Sequence, residues 1–197
     1  MKTIIHRLRK TGRLEQAWDL YRAAGVCTVI WTASLIAILG IEAIAHASIG
    51  VRTVLWWLWV GGSGIGTWSV LLLPLARYLG LLPMASAESI ALRVGDAYPD
   101  IRDTLSNALQ LQAGSTGSVE LVSAAVQSAS NAADGKDFTV IINRKPARRA
   151  WLLALTSGAL LAVLLFTLPG IFGASLVRLL NYNKSYLPPA PFSLTIS

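Results

Sequence analysis

Hydrophobic positions along this chain follow two different patterns. Three runs, residues 23–41, 54–76 and 150–177, are apolar throughout and contain no charged side chain. Before the first run and between the second and third, apolar residues instead recur every three or four positions among charged ones. Each long run approaches or exceeds the roughly 20 residues that a helix needs to cross a bilayer core. Water is absent from that core, so the backbone must satisfy its own hydrogen bonds, and the runs are expected to be helices. The pattern therefore predicts an all-α membrane protein with three transmembrane helices, over residues 23–46, 54–82 and 150–177. A cytoplasmic amphipathic segment (1–22), a small cytoplasmic helical unit (83–149) and a short external tail (178–197) complete the expected order.

The flanks of the runs carry interfacial residues. Leu8, Leu14, Trp18 and Tyr21 alternate with basic side chains, and Trp18 and Arg22 suit the headgroup level. Trp56, Trp57 and Trp59 form a belt at the start of the second span, and Trp151 occupies the same position in the third. Pro74 is expected to kink the second span near its inner end, where Arg77 can reach back to headgroups. Arg148 and Arg149 flank the third span. Within the second span, Gly62 and Gly66 have the small-xxx-small spacing that lets another helix backbone approach closely. The same glycine run lacks the preceding strand and the aqueous helix start of a phosphate-binding loop, which points to packing.

The 83–149 segment is charge-balanced and helical in period. Ile90, Val94, Ala97 and Tyr98 share one face. Pro99 suits a first helical position, Asp100 and Asp103 a first turn, and Ile101, Leu105, Ala108, Leu109 and Gln112 continue a stripe. Residues 113–117 read as a turn and Ser118 as an N-cap. Leu121, Val122, Ala125, Val126 and Ala129 form a third stripe, broken at Asp134-Gly135. The β-branched stretch 138–142 reads as a short strand, and the whole as a unit packed on itself, and on the membrane.

Composition sharpens this picture. With 54% hydrophobic residues and a mean hydropathy of +0.56 over 197 residues, the chain is too apolar for an ordinary soluble domain. Its net charge of +7 is unevenly placed. Lys2, Arg7, Arg9, Lys10, Arg13 and Arg22 precede the first span, and Arg144, Lys145, Arg148 and Arg149 abut the third. Arg52 is the lone full positive charge between spans one and two. That asymmetry places the N-terminus and the 83–149 segment in the cytoplasm and the C-terminus outside, in a bacterial inner membrane. The basic residues sit where lipid headgroups lie, so the expected partners are membrane lipids and other membrane-protein subunits, and no nucleic acid. Some twenty mixed polar residues before a full-length span argue against a cleavable signal peptide.

Candidate chemistry is sparse. Cys27 is the single cysteine and lies in the first span, which leaves no disulfide and no cysteine cluster for a metal. His6 sits among basic residues at the headgroup level. Glu42 and His46 are spaced i, i+4 at the end of the first span and are the candidate ligand or partner contact. An interfacial hydrogen-bonded pair is the favoured reading of those two, ahead of a partner contact and of a metal, haem or pigment on His46. The 83–149 segment has neither histidine nor cysteine, so Asp96, Asp100 and Asp103 lack the partners of a hydrolase. Three spans without buried charge leave no ion path in a single chain. The expectation is a protein that is not an enzyme and has no catalytic residue, no metal and no cofactor. Beyond Leu187-Pro188-Pro189-Ala190-Pro191, residues 192–196 alternate like a first strand with no second strand to pair with, which suggests a further external domain.

The order of these features resembles domain-of-unknown-function family 4175, a family of large bacterial membrane proteins. The resemblance rests on Ala91-Leu92-Arg93-Val94, on the run from Tyr98-Pro99-Asp100-Ile101-Arg102-Asp103 to Asn107-Ala108-Leu109, on Arg178-Leu179-Leu180 and on Pro188-Pro189-Ala190-Pro191-Phe192. It covers roughly residues 50–197. It implies two spans, a cytoplasmic helical segment, a third span and entry into a long external region with an immunoglobulin-like domain. It carries no assigned chemistry. Two functions follow as expectations. One is a non-catalytic accessory subunit docked on partner helices of a larger complex, an energy-transducing photosynthetic or respiratory one being a concrete form. The other is a membrane anchor for an extracytoplasmic domain with an envelope-binding or signalling role.

Overall fold

A computed structural model of the chain describes residues 3–45, 47–83, 86–113 and 118–184, and every regular element among them is helical. Helix α1 spans Thr3–Ala45, α2 Ile49–Tyr78, α3 Ala87–Ala97, α4 Pro99–Ala113 and α5 Val119–Ala132. A 3-10 turn follows at Phe138–Ile141, then α6 at Lys145–Thr167, a π-helical turn at Pro169–Gly173 and α7 at Ala174–Leu180. Three of these helices, α1, α2 and α6, are long and apolar enough to cross a membrane. The chain divides into two compact units, Met1–Arg22 with Leu73–Arg148 and Ala23–Leu72 with Arg149–Ser197.

The first unit is built on the stripes visible in the sequence. Ile90 and Val94 of α3, Ile101, Leu105 and Ala108 of α4, and Val126 and Ala129 of α5 are buried together with Phe138. Serine hydroxyls start two of its helices. Ser86 accepts the Ser89 N–H at 3.1 Å, and Ser118 accepts that of Leu121 at 3.3 Å. Pro99, with no N–H to donate, opens α4 as expected. Lys136 hydrogen-bonds Asp100 at 2.7 Å and holds its carboxyl below the usual carboxylate range.

This unit is not packed on itself alone. Ile4 and Leu8 of α1 lie in its core, Leu8 with no exposed surface, so Leu8 faces protein rather than headgroups. Arg7 donates to the carbonyls of Ala133, at 3.1 Å, and Lys136, and its guanidinium lies 4.4 Å from the Phe138 ring centroid. Arg93 grips Glu15 with both terminal nitrogens, one at 2.8 Å. Residues 3–22 are therefore the first part of a longer helix. No proline interrupts the chain there, and α1 runs unbroken into the first apolar stretch.

Three further expectations change. The stretch 138–142 is a 3-10 turn rather than a strand, because Asp137 accepts the backbone N–H and the hydroxyl of Thr139, each at 2.9 Å, and curls the chain. The third apolar run, 150–177, is not one helix. Pro169 lacks a donor and forces Leu168 out of helical geometry (φ −125°, ψ 54°), ending α6 at Thr167. Nor does the tail begin at residue 178, since α7 continues through Leu180. The expected turn at 114–117 and the strand-like 192–196 lie outside the described residues.

In the second unit α1 lies against both neighbours through small and polar side chains. The Trp31 indole donates to Thr67 at 2.8 Å, and the Trp59 indole donates to Ser34 at 3.1 Å. Ser34 and Ser63 hydroxyls meet at 3.2 Å, and those of Thr32 and Ser157 at 2.6 Å. Such pairings satisfy polar groups between apolar helices. A Cβ added to Gly25 would stand 3.1 Å from the Trp151 ring and 3.2 Å from Ala150, so this glycine sets the approach of α6.

Gly95 plays the corresponding part in the first unit. A Cβ there would come within 2.7 Å of the Arg102 side chain and 3.0 Å of its Cα. Gly95→Val is expected to force α3 from α4 and cost about 1–3 kcal/mol, the usual scale of overpacking. Gly158→Ala in α6, where no atom lies within 4 Å, should be neutral or slightly stabilising. Thermal melts of the two variants in mild detergent check this contrast, and equal melting temperatures would contradict it.

A buried carboxylate between two arginines

The candidate site lies in the second unit, around Glu42 in the last turn of α1. Its side chain has no exposed surface, which a carboxylate tolerates only when matched by charge and hydrogen bonds. Two arginines supply the match. Arg52, in the first turn of α2, places Nε 3.3 Å and Nη2 3.2 Å from Glu42 Oε1. Arg178, on α7, places Nε 3.2 Å from the same oxygen. Glu42 Oε2 has no hydrogen-bond partner among the described residues.

The short α1–α2 connection makes the first contact possible. Ser48 accepts the Arg52 N–H at 2.9 Å and starts α2, which turns Arg52 back toward α1. Its guanidinium then bonds the carbonyls of Ala47 at 2.9 Å and Lys184 at 3.2 Å. The π turn after Pro169 gives the second contact its direction. Ser175, fully buried, donates to Ile171 O at 2.8 Å and accepts from Arg178 Nη2 at 3.1 Å. Trp56 stacks on Tyr182 at 5.8 Å between centroids. One carboxylate thus joins the end of α1, the start of α2, α7 and the segment at Lys184.

The expectation of spans without buried charge therefore fails at this end. The expected i, i+4 partner of Glu42, His46, lies outside the described residues; among the described ones the carboxylate meets Arg52 and Arg178. Among the described residues, two guanidiniums surround this one carboxylate. No group of three potential metal ligands occurs among the described residues. The signal for this site was a lone acid just after the first apolar run, with Arg52 shortly before the second and Arg178 directly after the third.

The remaining sequence candidates fall in different places. Gly66 packs against Ile30, at 3.5 Å from a Cβ position, whereas a Cβ on Gly62 would meet nothing within 4 Å. Trp56 and Trp59 lie 5.3 Å apart by ring centroid and face protein, Trp59 also meeting Trp31. Trp57 is 60% exposed. Trp151 faces Gly25. In the first unit, Trp18 lies under the Arg144 guanidinium at 5.4 Å, and Arg77 and Arg148 are exposed; Arg149, in the second unit, is exposed too.

Removing one partner of a buried charge pair typically costs about 3–5 kcal/mol, because the other charge is left unmatched. Glu42→Ala is expected to lose stability on that scale, a fall of roughly 6–20 °C in melting temperature for a chain of this size. Glu42→Leu combined with Arg52→Leu and Arg178→Leu should recover most of the loss. Melting curves in detergent report both, and a Glu42→Ala variant as stable as the parent would show that the carboxylate holds nothing.

Compared with protein-family models, curated proteins and solved structures, the chain matches none of them.

Proposed function

We propose that this chain is a non-catalytic accessory subunit of a bacterial inner-membrane complex, docked through α2 on helices of other subunits. The observation that carries the reading is the state of the glycine run. Only 6% of the most apolar stretch of α2 is buried by the rest of the chain. Within it, Cβ atoms added to Gly61, Gly62 or Gly64 would meet nothing within 4 Å. Ser63 is buried against α1, so α2 spends one face on its own chain and leaves the glycine face open. Small residues on an open apolar helix allow the close backbone approach that drives helix association in lipid. In this reading the basic flanks hold the first unit in the cytoplasm.

A second reading, a membrane anchor for an extracytoplasmic domain, is favoured by the grip on the chain near Lys184. Arg52 bonds its carbonyl and Trp56 stacks on Tyr182, which would hold the exit of α7 firmly beneath a following domain. The resemblance to family 4175 points the same way.

Blue-native electrophoresis of the native membrane, with identification of co-migrating proteins, separates the two. The accessory reading expects the chain in a larger assembly, and release from it in Gly62→Leu with membrane insertion intact. Gly66→Leu should instead disturb the chain itself through Ile30. An assembly unchanged in Gly62→Leu would mean that this face meets only lipid. A native polypeptide well above 21.1 kDa that migrates without partners would favour the anchor.

A further inference from the structure

The end of α2 and the middle of the N-terminal part of α1 enclose a groove in the first unit. Its volume is about 540 Å³, and Lys10, Arg13, Gln16, Arg77, Tyr78 and Leu79 line it. Three of these are cations, and none of the three makes an ion pair with another described residue. Three other cations of the unit do have acid partners among the described residues. Arg93 is taken by Glu15, Lys136 by Asp100 and Arg102 by Asp96. Glu15 and Asp19 line an adjoining cavity with Arg93, and Arg77 and Gln16 border both spaces.

The end of α2 borders the groove. Gly80 adopts φ +76° just past α2, a left-handed conformation that glycine takes without strain. Its N–H bonds Arg77 O at 3.1 Å, and the Leu81 N–H bonds Ala76 O at 2.9 Å. These two bonds close the helix and turn the chain, and they satisfy the carbonyls of Ala76 and Arg77. What remains facing the groove is three cations, a phenol, an amide, and the apolar Leu14, Ala17 and Leu79.

From this geometry we propose that the groove binds the phosphodiester headgroup of an anionic phospholipid. The inference rests on the reading of α2 as a membrane span. Arg77 lies in the last turn of that apolar helix, at the depth where a span meets headgroups. Lys10 and Arg13, one turn apart on α1, bring their charges to the same point. A phosphodiester supplies the missing negative charge, Tyr78 and Gln16 can hydrogen-bond its oxygens or a glycerol headgroup, and the leucines meet the start of the acyl chains. Free inorganic phosphate shares the charge but has nothing to place on the apolar wall.

The test uses the full chain, purified in mild detergent and titrated with phosphatidylglycerol or phosphatidylcholine in mixed micelles, with binding read by native mass spectrometry. Phosphatidylglycerol should bind at least about tenfold more tightly than phosphatidylcholine, and the preference should be lost in Lys10→Gln/Arg13→Gln/Arg77→Gln. Arg9→Gln/Arg22→Gln, basic positions on the same helix outside the groove, should keep it. Arg13→Lys/Arg77→Lys should also keep it, which separates lost charge from lost fold. Equal loss in the control pair would mean diffuse attraction to a basic surface and overturn the site. Displacement of the lipid by inorganic phosphate at similar concentration would overturn the lipid as occupant. Alkaline carbonate extraction tests the membrane reading separately. A chain released by carbonate refutes the span, whereas a retained chain with no lipid preference refutes the groove alone.

Discussion

A carboxylate with no surface open to water must be matched where it stands, and much of the second unit follows from matching Glu42. Its single accepting oxygen draws Arg52 back across the α1–α2 connection and Arg178 inward from α7. Each arginine also donates to backbone or hydroxyl oxygens, at Ala47, Lys184 and Ser175. Hydrophobic burial alone would leave these helix ends free to slide, because one apolar surface is much like another in lipid. Charged partners fix direction and register. The break at Pro169 belongs to the same arrangement, since the wider turn after it leads into the short helix that presents Arg178.

The two units meet different demands. In the second, apolar helices associate through glycine contacts and hydroxyl or indole pairs, and most large side chains remain exposed. In the first, a conventional core of Leu, Ile, Val and Phe is closed by capped helices and ion pairs. The units divide at Arg22/Ala23, Leu72/Leu73 and Arg148/Arg149, close to where the charges of the sequence resume. A division by contacts and a division by charge thus coincide. That agreement supports the proposal that one unit lies in hydrocarbon and the other at the basic, cytoplasmic side.

Elements governed by local chemistry were legible in the sequence. The three apolar runs, Pro99 at the start of α4, the Ser118 cap and the stripes Ile90/Val94, Ile101/Leu105/Ala108 and Val126/Ala129 depend on neighbours within a turn or two. Pairings over long separations were not. Nothing in periodicity joins Glu42 to Arg178, or Arg7 to the carbonyls beyond Ala132. Leu8 read as part of an interfacial stripe, and a stripe shows that a face is covered and not by what. The 138–142 strand failed for a different reason. Propensity favoured extension there, but the Asp137 side chain offered the backbone a nearer partner. At Pro169 the signal was present and a long apolar run concealed it.

In the proposed arrangement three helices cross the membrane and the first unit lies on the cytoplasmic side. Single cysteines introduced at exposed positions test it most directly, in a Cys27→Ala background probed in intact cells with a membrane-impermeant maleimide. Ser48→Cys and Asn183→Cys are expected to label in intact cells, and Asp134→Cys only after permeabilisation. Labelling of Asp134→Cys from outside, or of Asn183→Cys only after permeabilisation, would contradict the account.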